Sequence, residues 1–204
     1  MKRVIIVLGN VDTLPKFDCD VIGVDYGALV LAKQNVQMVC AIGDFDSVDG
    51  TDEIANYAKE VISLPRMKNE TDCEAAILWA LDKYDCMDIY GGLGGRLDHE
   101  FANMALLMQR KYPITFYNET NKIYRLDSGK HILNKEGYEY ISFFPLKESV
   151  ISLSGVKYSL SNVLVNVQDI YMVSNEILND KMIIELEGEV LVFQSNDTKK
   201  HCSI

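Results

Sequence analysis

Strand-like and helix-like segments alternate along the chain as far as Tyr117, and beyond Asn118 the alternation stops. That change of texture constrains the fold more than any single motif does. Residues 4–8, 21–24, 36–42, 61–64, 87–90 and 114–117 are short apolar runs, which read as buried strands. Helical patterns lie between them. Residues 71–84 form the clearest, with Ala75, Leu78, Trp79 and Asp82 at helical spacing and Trp79 expected in the core. Leu97, Phe101, Ala105 and Met108 stripe a second helix, which Pro113 closes. Apolar strands alternating with helices predict an α/β fold, a mostly parallel sheet with helices on both faces.

After Asn118 helical periodicity is gone. Residues 122–126, 138–144, 150–153, 182–186 and 190–194 are short and rich in Val, Ile, Tyr and Phe, with Gly129, Gly137, Gly155 and Gly188 between them. This is the texture of an all-β sandwich. Two domains are therefore expected, an α/β domain over 1–120 and a β-sandwich over 121–204.

A chain of 204 residues with 48% apolar and 25% charged residues can bury a core in each half. Its net charge of −10 argues against a nucleic-acid partner. A phosphorylated ligand remains compatible, given a metal ion to screen it from the local carboxylates. The five cysteines are odd in number and lack CxxC spacing, so they read as reduced, mostly buried thiols. The apolar run at 4–8 is too short to span a membrane and has no cleavage-site pattern. A soluble cytoplasmic protein without a membrane segment is the expectation.

Open α/β sheets place their sites beyond the carboxyl ends of their strands, and the polar motifs fall there. Asp44 and Asp46, two residues apart after Gly43, can converge on one hard cation; oxygen ligands suit Mg²⁺. The same string also reads as a solvated turn. Thr71 and Glu74 have capping-box spacing, which puts Asp72 in a first helical turn. Lys68 lies just upstream, either facing a phosphate or as an ordinary surface lysine. Gly91, Gly92, Gly94 and Gly95 precede Arg96 and Asp98; glycine amides and the following helix start form an anion cradle, and Arg96 can fork onto phosphate oxygens. Asp25 either joins the acids or caps a helix, and His99 is a helix-start neighbour.

Together these strings resemble the thiamine pyrophosphokinase family. The likeness rests on Asp25-Tyr26-Gly27-Ala28, Gly43-Asp44-Phe45-Asp46-Ser47, Lys68 with Thr71-Asp72, and the run from Gly91 to His99 with Asn103. It continues through residues 155–160 and Ser174-Asn175-Glu176. The resemblance implies a catalytic α/β domain, a C-terminal β-sandwich, and a homodimer with thiamine bound where the two kinds of domain meet across subunits. It implies transfer of the diphosphate of ATP to the thiamine hydroxyl. Its acidic cluster maps onto Asp25, Asp44, Asp46, Asp72 and Asp98. Mg²⁺ would be held by Asp44, Asp46 and Asp72. ATP would be held by Lys68, Thr71, Gly92, Gly94, Gly95, Arg96 and Asp98, and thiamine by Asp25, Ser174 and Asn175. The catalytic set would be Asp46, Asp72, Asp98 and Arg96, with Asp72 and Asp98 both open as the proton acceptor. Two positions depart from the family pattern: Tyr26 stands where a glycine is frequent, and Asn69 where an aspartate is. A related pterin-specific pyrophosphokinase and a non-catalytic sensor of nucleotide or thiamine diphosphate are the competing readings. Ser174-Asn175 speaks against the first and the intact acid set against the second.

Overall fold

The computed structural model describes residues 1–9, 11, 14, 16–45 and 51–197. Asp46 and Cys202 lie outside the described residues. The chain divides into two compact units, Met1–Glu119 and Thr120–Ile204.

The first unit is built from β1 (Arg3–Val7), β2 (Asp20–Val24), α1 (Tyr26–Lys33), β3 (Cys40–Gly43), α2 (Thr51–Tyr57), β4 (Val61–Ser63), α3 (Asp72–Ala80), β5 (Cys86–Tyr90), α4 (Leu97–Gln109) and β6 (Ile114–Tyr117). The strands pair in parallel in the order β6-β5-β1-β2-β3-β4. From β1 the chain steps outward to β4, then returns to the other side of β1 for β5 and β6. Order therefore reverses at β1, and the crevice at its carboxyl end is where such sheets bind ligands. Alternation along the strands divides the core. Ile5, Val7, Val21 and Ala41 pack with Ala28, Leu29, Leu31 and Ala32 of α1 and Ile54 of α2. Ile6, Ile22 and Ile42 point to the opposite face, where α3 packs against β2 and β3 through its buried Cys73, Ala76, Ile77 and Ala80.

Several sequence expectations need correction. The strand expected over 36–42 begins only at Cys40; Asn35 turns left-handed after α1 (φ 58), and Met38 makes just an isolated bridge to Ala58. Helix α3 does not bury the face of Leu78 and Trp79. Leu78 is exposed, and Trp79 is half-buried with the Lys83 ammonium 3.9 Å above its ring. In α4 the Leu97 and Phe101 stripe faces outward, at 78% and 68% exposure, while Asn103, Leu106 and Leu107 are buried. Both helices carry two apolar faces, so periodicity alone could not choose between them.

The second unit contains β7 (Asn121–Asn134), β8 (Tyr140–Pro145), β9 (Ser149–Ser154), β10 (Leu160–Val165) and β11 (Lys181–Ser195), all paired antiparallel. The runs expected at 182–186 and 190–194 are one strand, interrupted by a bulge between Leu186 and Glu189. Gly129 and Gly188 thus sit inside strands and not between them. Before the bulge β11 also pairs with β9, and after it with β8. The Ser128 hydroxyl clamps the bulge, donating to the Gly188 carbonyl (3.0 Å) and accepting its N–H (2.8 Å). Bending here brings Phe143, Ile151, Leu153, Val165, Ile184 and Val192 into one core, as a sandwich requires.

Candidate active site

A cavity of about 670 Å³ opens at the carboxyl ends of the parallel strands. Each strand from β1 to β5 contributes to its wall through the segment that follows it: Leu8 and Gly9 after β1, Asp25 and Tyr26 after β2, Asp44 after β3, Arg66 and Lys68 after β4, and the glycine loop after β5. Every described first-unit residue assigned from sequence to metal, ATP, thiamine or catalysis lines it.

The acidic wall is held by backbone geometry. Asp25 does not cap α1 with its side chain. Its Oδ1 accepts the Asp44 N–H at 3.1 Å, which ties the end of β2 to the loop after β3. Asp25 (φ 47, ψ −121) and Phe45 (φ 51) both adopt strained backbone conformations for residues that carry a Cβ. Gly43 makes the contact possible, since a Cβ there would lie 1.9 Å from the Asp25 carboxylate. Burial, then the charges of Asp72 and Asp44, push Asp25 up to about 6, against hydrogen bonds from the Phe45 and Asp44 amides.

Lys68 is no surface lysine: its side chain is 9% exposed, and Nζ lies 2.9 Å from Asp72 Oδ1. Burial works against its charge, but the hydrogen bond to Asp72 and the charges of Asp72, Asp44 and Asp25 win and raise its pKa. Asp72 Oδ1 is itself buried and has no aligned hydrogen bond besides this ion pair. Asp72 opens α3 behind the Thr71 cap, whose hydroxyl accepts the Glu74 N–H at 3.1 Å. Only that half of the capping box forms. The Glu74 carboxylate turns away to take the Tyr112 hydroxyl and Arg110 Nε, each at 3.2 Å.

The opposite wall is the glycine loop. Gly94 and Gly95 take φ of 87° and 83°, open to glycine at little cost. Buried Asn103 on α4 donates Nδ2 to the Gly92 carbonyl at 2.8 Å, and the Gly94 N–H donates to Glu100 at 3.1 Å. Asp98 does not face the other acids. It takes Arg96 Nε at 3.1 Å and Nη2 at 2.6 Å in a bidentate pair, and Arg96 holds its pKa low. Both side chains stand largely in solvent.

Leu8, Arg66, Glu70, Cys73 and Ala102 carry no role by sequence, and His99 reads only as a helix-start neighbour, yet all of these line the cavity. Arg66 was findable as a cation just past a strand end. Cys73 falls in the first turn of α3 by its spacing from Thr71, but that spacing does not show that it reaches the cavity; burial pushes its thiol up to about 12. Among the described residues, no three carboxylate, imidazole or thiol groups already close on a metal-sized point. The described acids do fit a hard cation. Asp72 has a buried carboxylate oxygen whose charge is met by the Lys68 ammonium at 2.9 Å, Asp25 is raised by burial and by its acidic neighbours, and Asp44 adds a further carboxylate to the same cavity.

In the second unit Asn175 is buried and fully engaged. Its Oδ1 accepts the Tyr158 and Glu176 amides at 3.0 and 2.9 Å, and its Nδ2 donates to the Tyr158 carbonyl at 2.8 Å. It also lines a smaller hollow of about 330 Å³ with Leu153, Leu160, Met172 and the rings of Tyr158 and Tyr171. Ser174 beside it is exposed and left-handed, at φ 56.

Comparisons with known proteins agree with this geometry. The sequence profile described as thiamin pyrophosphokinase, catalytic domain, matches residues 15–139, and that described as thiamin pyrophosphokinase, vitamin B1 binding domain, matches residues 130–191. The thiamine pyrophosphokinase of Bacillus subtilis is 31% identical over 186 residues, covering 86% of this chain and 87% of that protein. Its crystal structure superposes with a TM-score of 0.85 at 30% identity, covering 97% of this chain and all (100%) of that one. A thiamin pyrophosphokinase family protein from Enterococcus faecalis superposes with a TM-score of 0.87 at 28% identity, with the same coverage of 97% and 100%. With its parallel sheet, its cavity at the strand ends and its β-sandwich, the chain belongs to the thiamin pyrophosphokinase family.

Proposed function

We propose that the cavity transfers the diphosphate of ATP to the hydroxyl of thiamine, giving thiamine diphosphate and AMP. Family membership supports the activity. The observation that carries it at the level of this chain is one cavity with carboxylates on one wall and a glycine-arginine loop on the other. On this reading residues 1–120 form the catalytic domain and residues 121–204 the thiamine-binding domain.

The thiamine oxygen bonds to the β-phosphorus of ATP while the bond from that phosphorus to the bridging oxygen of AMP breaks. AMP leaves with that oxygen, and the hydroxyl proton passes to a carboxylate. Positioning and charge neutralisation dominate such a transfer. Asp44 and Asp72, with Asp46, are the residues that would hold Mg²⁺, which would supply neutralisation of phosphate charge. The side chain of Asp46 lies outside the described residues. Two carboxylates with waters and phosphate oxygens meet the usual needs of Mg²⁺. Lys68 is held among the acids by Asp72 and supplies a fixed positive charge beside the polyphosphate. The Thr71 cap keeps the first turn of α3 in place, and Arg96 forks onto phosphate oxygens beside the amides of Gly92, Gly94 and Gly95. Proton acceptance falls to Asp72 or Asp98. Ligand-free, Asp98 is bound to Arg96 and is a weak base until a phosphate takes its place.

Asp25, Ser174 and Asn175 are assigned to thiamine. Asn175 acts by fixing the loop around Tyr158, with Ser174 the exposed member of the pair. We also infer a homodimer that brings the β-sandwich of one subunit to the cavity of the other. Exposed Leu164, Ile170, Tyr171, Val173 and Leu178 on the second unit support an interface. No helix among the described residues is long and apolar enough to cross a membrane.

Mass spectrometry of the products from ATP, Mg²⁺ and a panel of small alcohols tests the assignment. Thiamine diphosphate and AMP in equal amounts are expected. ADP with thiamine monophosphate, or diphosphate transfer only to a hydroxymethylpterin, would refute it.

A further inference from the structure

Among the described residues Tyr26 is the only Phe, Tyr or Trp that lines the large cavity. The reaction proposed for that cavity needs room for two flat heterocyclic systems, a neutral adenine and a cationic thiazolium with its pyrimidine. At 51% exposure, Tyr26 leaves a large part of its aromatic side chain uncovered on the cavity wall. Its position is set by the backbone. Asp25 takes its strained conformation at the end of β2, α1 starts at Tyr26, and the Ala28 N–H closes the first turn on the Asp25 carbonyl at 3.0 Å. The side chain lies against Gly9, where an added Cβ would sit 3.1 Å from Tyr26 Cβ and 3.6 Å from Cδ1. Gly9 follows the central strand β1, so the ring stands between the glycine loop after β5 and the acids after β2 and β3.

Charge decides which heterocycle suits this face. Asp25 precedes Tyr26 directly, and the Asp44 amide is bonded to the Asp25 carboxylate. An aromatic face beside carboxylates favours a cation, through the ring quadrupole and through the acids. A neutral adenine gains only stacking there, while the phosphates that follow it are drawn toward the glycine-arginine wall.

We infer that Tyr26 is the platform for the cationic ring of the alcohol substrate and sets the preference for a cationic over a neutral acceptor. The inference deepens the proposed function and rests on it. Tyr26 works by contact with the substrate and takes no part in proton or phosphoryl transfer.

Steady-state kinetics of the full chain test it, with thiamine and a neutral isostere in which thiophene replaces thiazolium. For Tyr26→Ala the KM for thiamine should rise about tenfold, within the range for a lost cation–aromatic contact, while the KM for ATP changes less than about twofold. Discrimination between thiamine and the isostere should fall with it. Tyr26→Phe keeps the face and should restore both values, which also separates loss of contact from damage to the start of α1. A rise in KM for ATP alone, an unchanged KM for thiamine, or an undiminished preference for the cation would overturn the inference. A wild-type protein that forms no thiamine diphosphate would remove the proposed function and this inference together; an active wild type with an unaffected Tyr26→Ala removes only the inference.

Discussion

Asp25 is the residue at which the energetic cost of this site is concentrated. It has a strained backbone, it is half-buried, and its carboxylate faces those of Asp72 and Asp44. Its folded pKa, about 6, exceeds the reference value of 3.8. The associated stability is therefore fully present below about pH 4, declines as pH rises through 6, and is absent at neutral pH. Asp25→Asn should stabilise the chelator-treated protein at pH 7.5 by about 1 kcal/mol, since solvent screening reduces the nominal shift. Thermal melts in chelator at pH 7.5 and pH 4 check this: the variant should melt higher at the first pH and lose that advantage at the second. Gly43→Ala should cost more than tenfold in kcat/KM, because the methyl collides with the Asp25 carboxylate and the acidic wall reshapes. An assay beside a far-ultraviolet spectrum separates this effect from unfolding. Part of this scale was legible in sequence: Asp44 and the glycine-arginine run stood out by type and position, whereas Asp25 read equally as a helix cap and Lys68 as a surface lysine. The pairing of Asp98 with Arg96, and the burial of Lys68, were not, because both depend on rotamers that spacing does not specify.

Elements translate these residues into a site. Helix α3 starts at Asp72 because Thr71 caps it, and the Glu74 link to Tyr112 and Arg110 fastens its first turn to the segment that follows α4. Thr71→Ala should lose about 1 kcal/mol of stability, and Thr71→Ser should retain most of it, read from denaturant midpoints at constant m. In the second unit Asn175→Ala strands the Tyr158 amide and carbonyl and should cost roughly 2–3 kcal/mol. A comparable loss is not expected of the exposed Ser174→Ala, so the two melts distinguish a clamp from a contact. Strand positions were readable from apolar runs where the strands are buried along nearly their whole length, as β1, β2 and β3 are; the edge strand β4 is exposed at Val61 and Ser63 and was readable only by its β-branched residues. Boundaries and helix faces were less so. The start of β3 depended on how α1 ends, and the buried face of α4 on the bond from Asn103 to Gly92. The bulge at Gly188 looked like a turn because a glycine between two apolar runs has the same appearance in either case.

At the scale of the whole molecule, one parallel sheet collects the loops of five strands into one cavity, and a sandwich follows it in the chain. The change of texture near Asn118 already announced two kinds of structure, whereas the proposed dimer rests on the family resemblance and on the exposed apolar residues of the second unit. Sedimentation velocity should give twice the mass of the 23.0 kDa chain at micromolar concentration, and a monomer at every concentration would contradict the proposed dimer. The claim on which the rest depends is that acids and glycine loop grip the same metal–polyphosphate from opposite walls. A crystal structure with Mg²⁺ and a non-hydrolysable ATP analogue tests it most directly. The account predicts Mg²⁺ on Asp44 and Asp72, with the distal phosphates against Arg96 and the Gly92, Gly94 and Gly95 backbone. An analogue bound away from the ends of the parallel strands, or a metal that touches none of these aspartates, would contradict it.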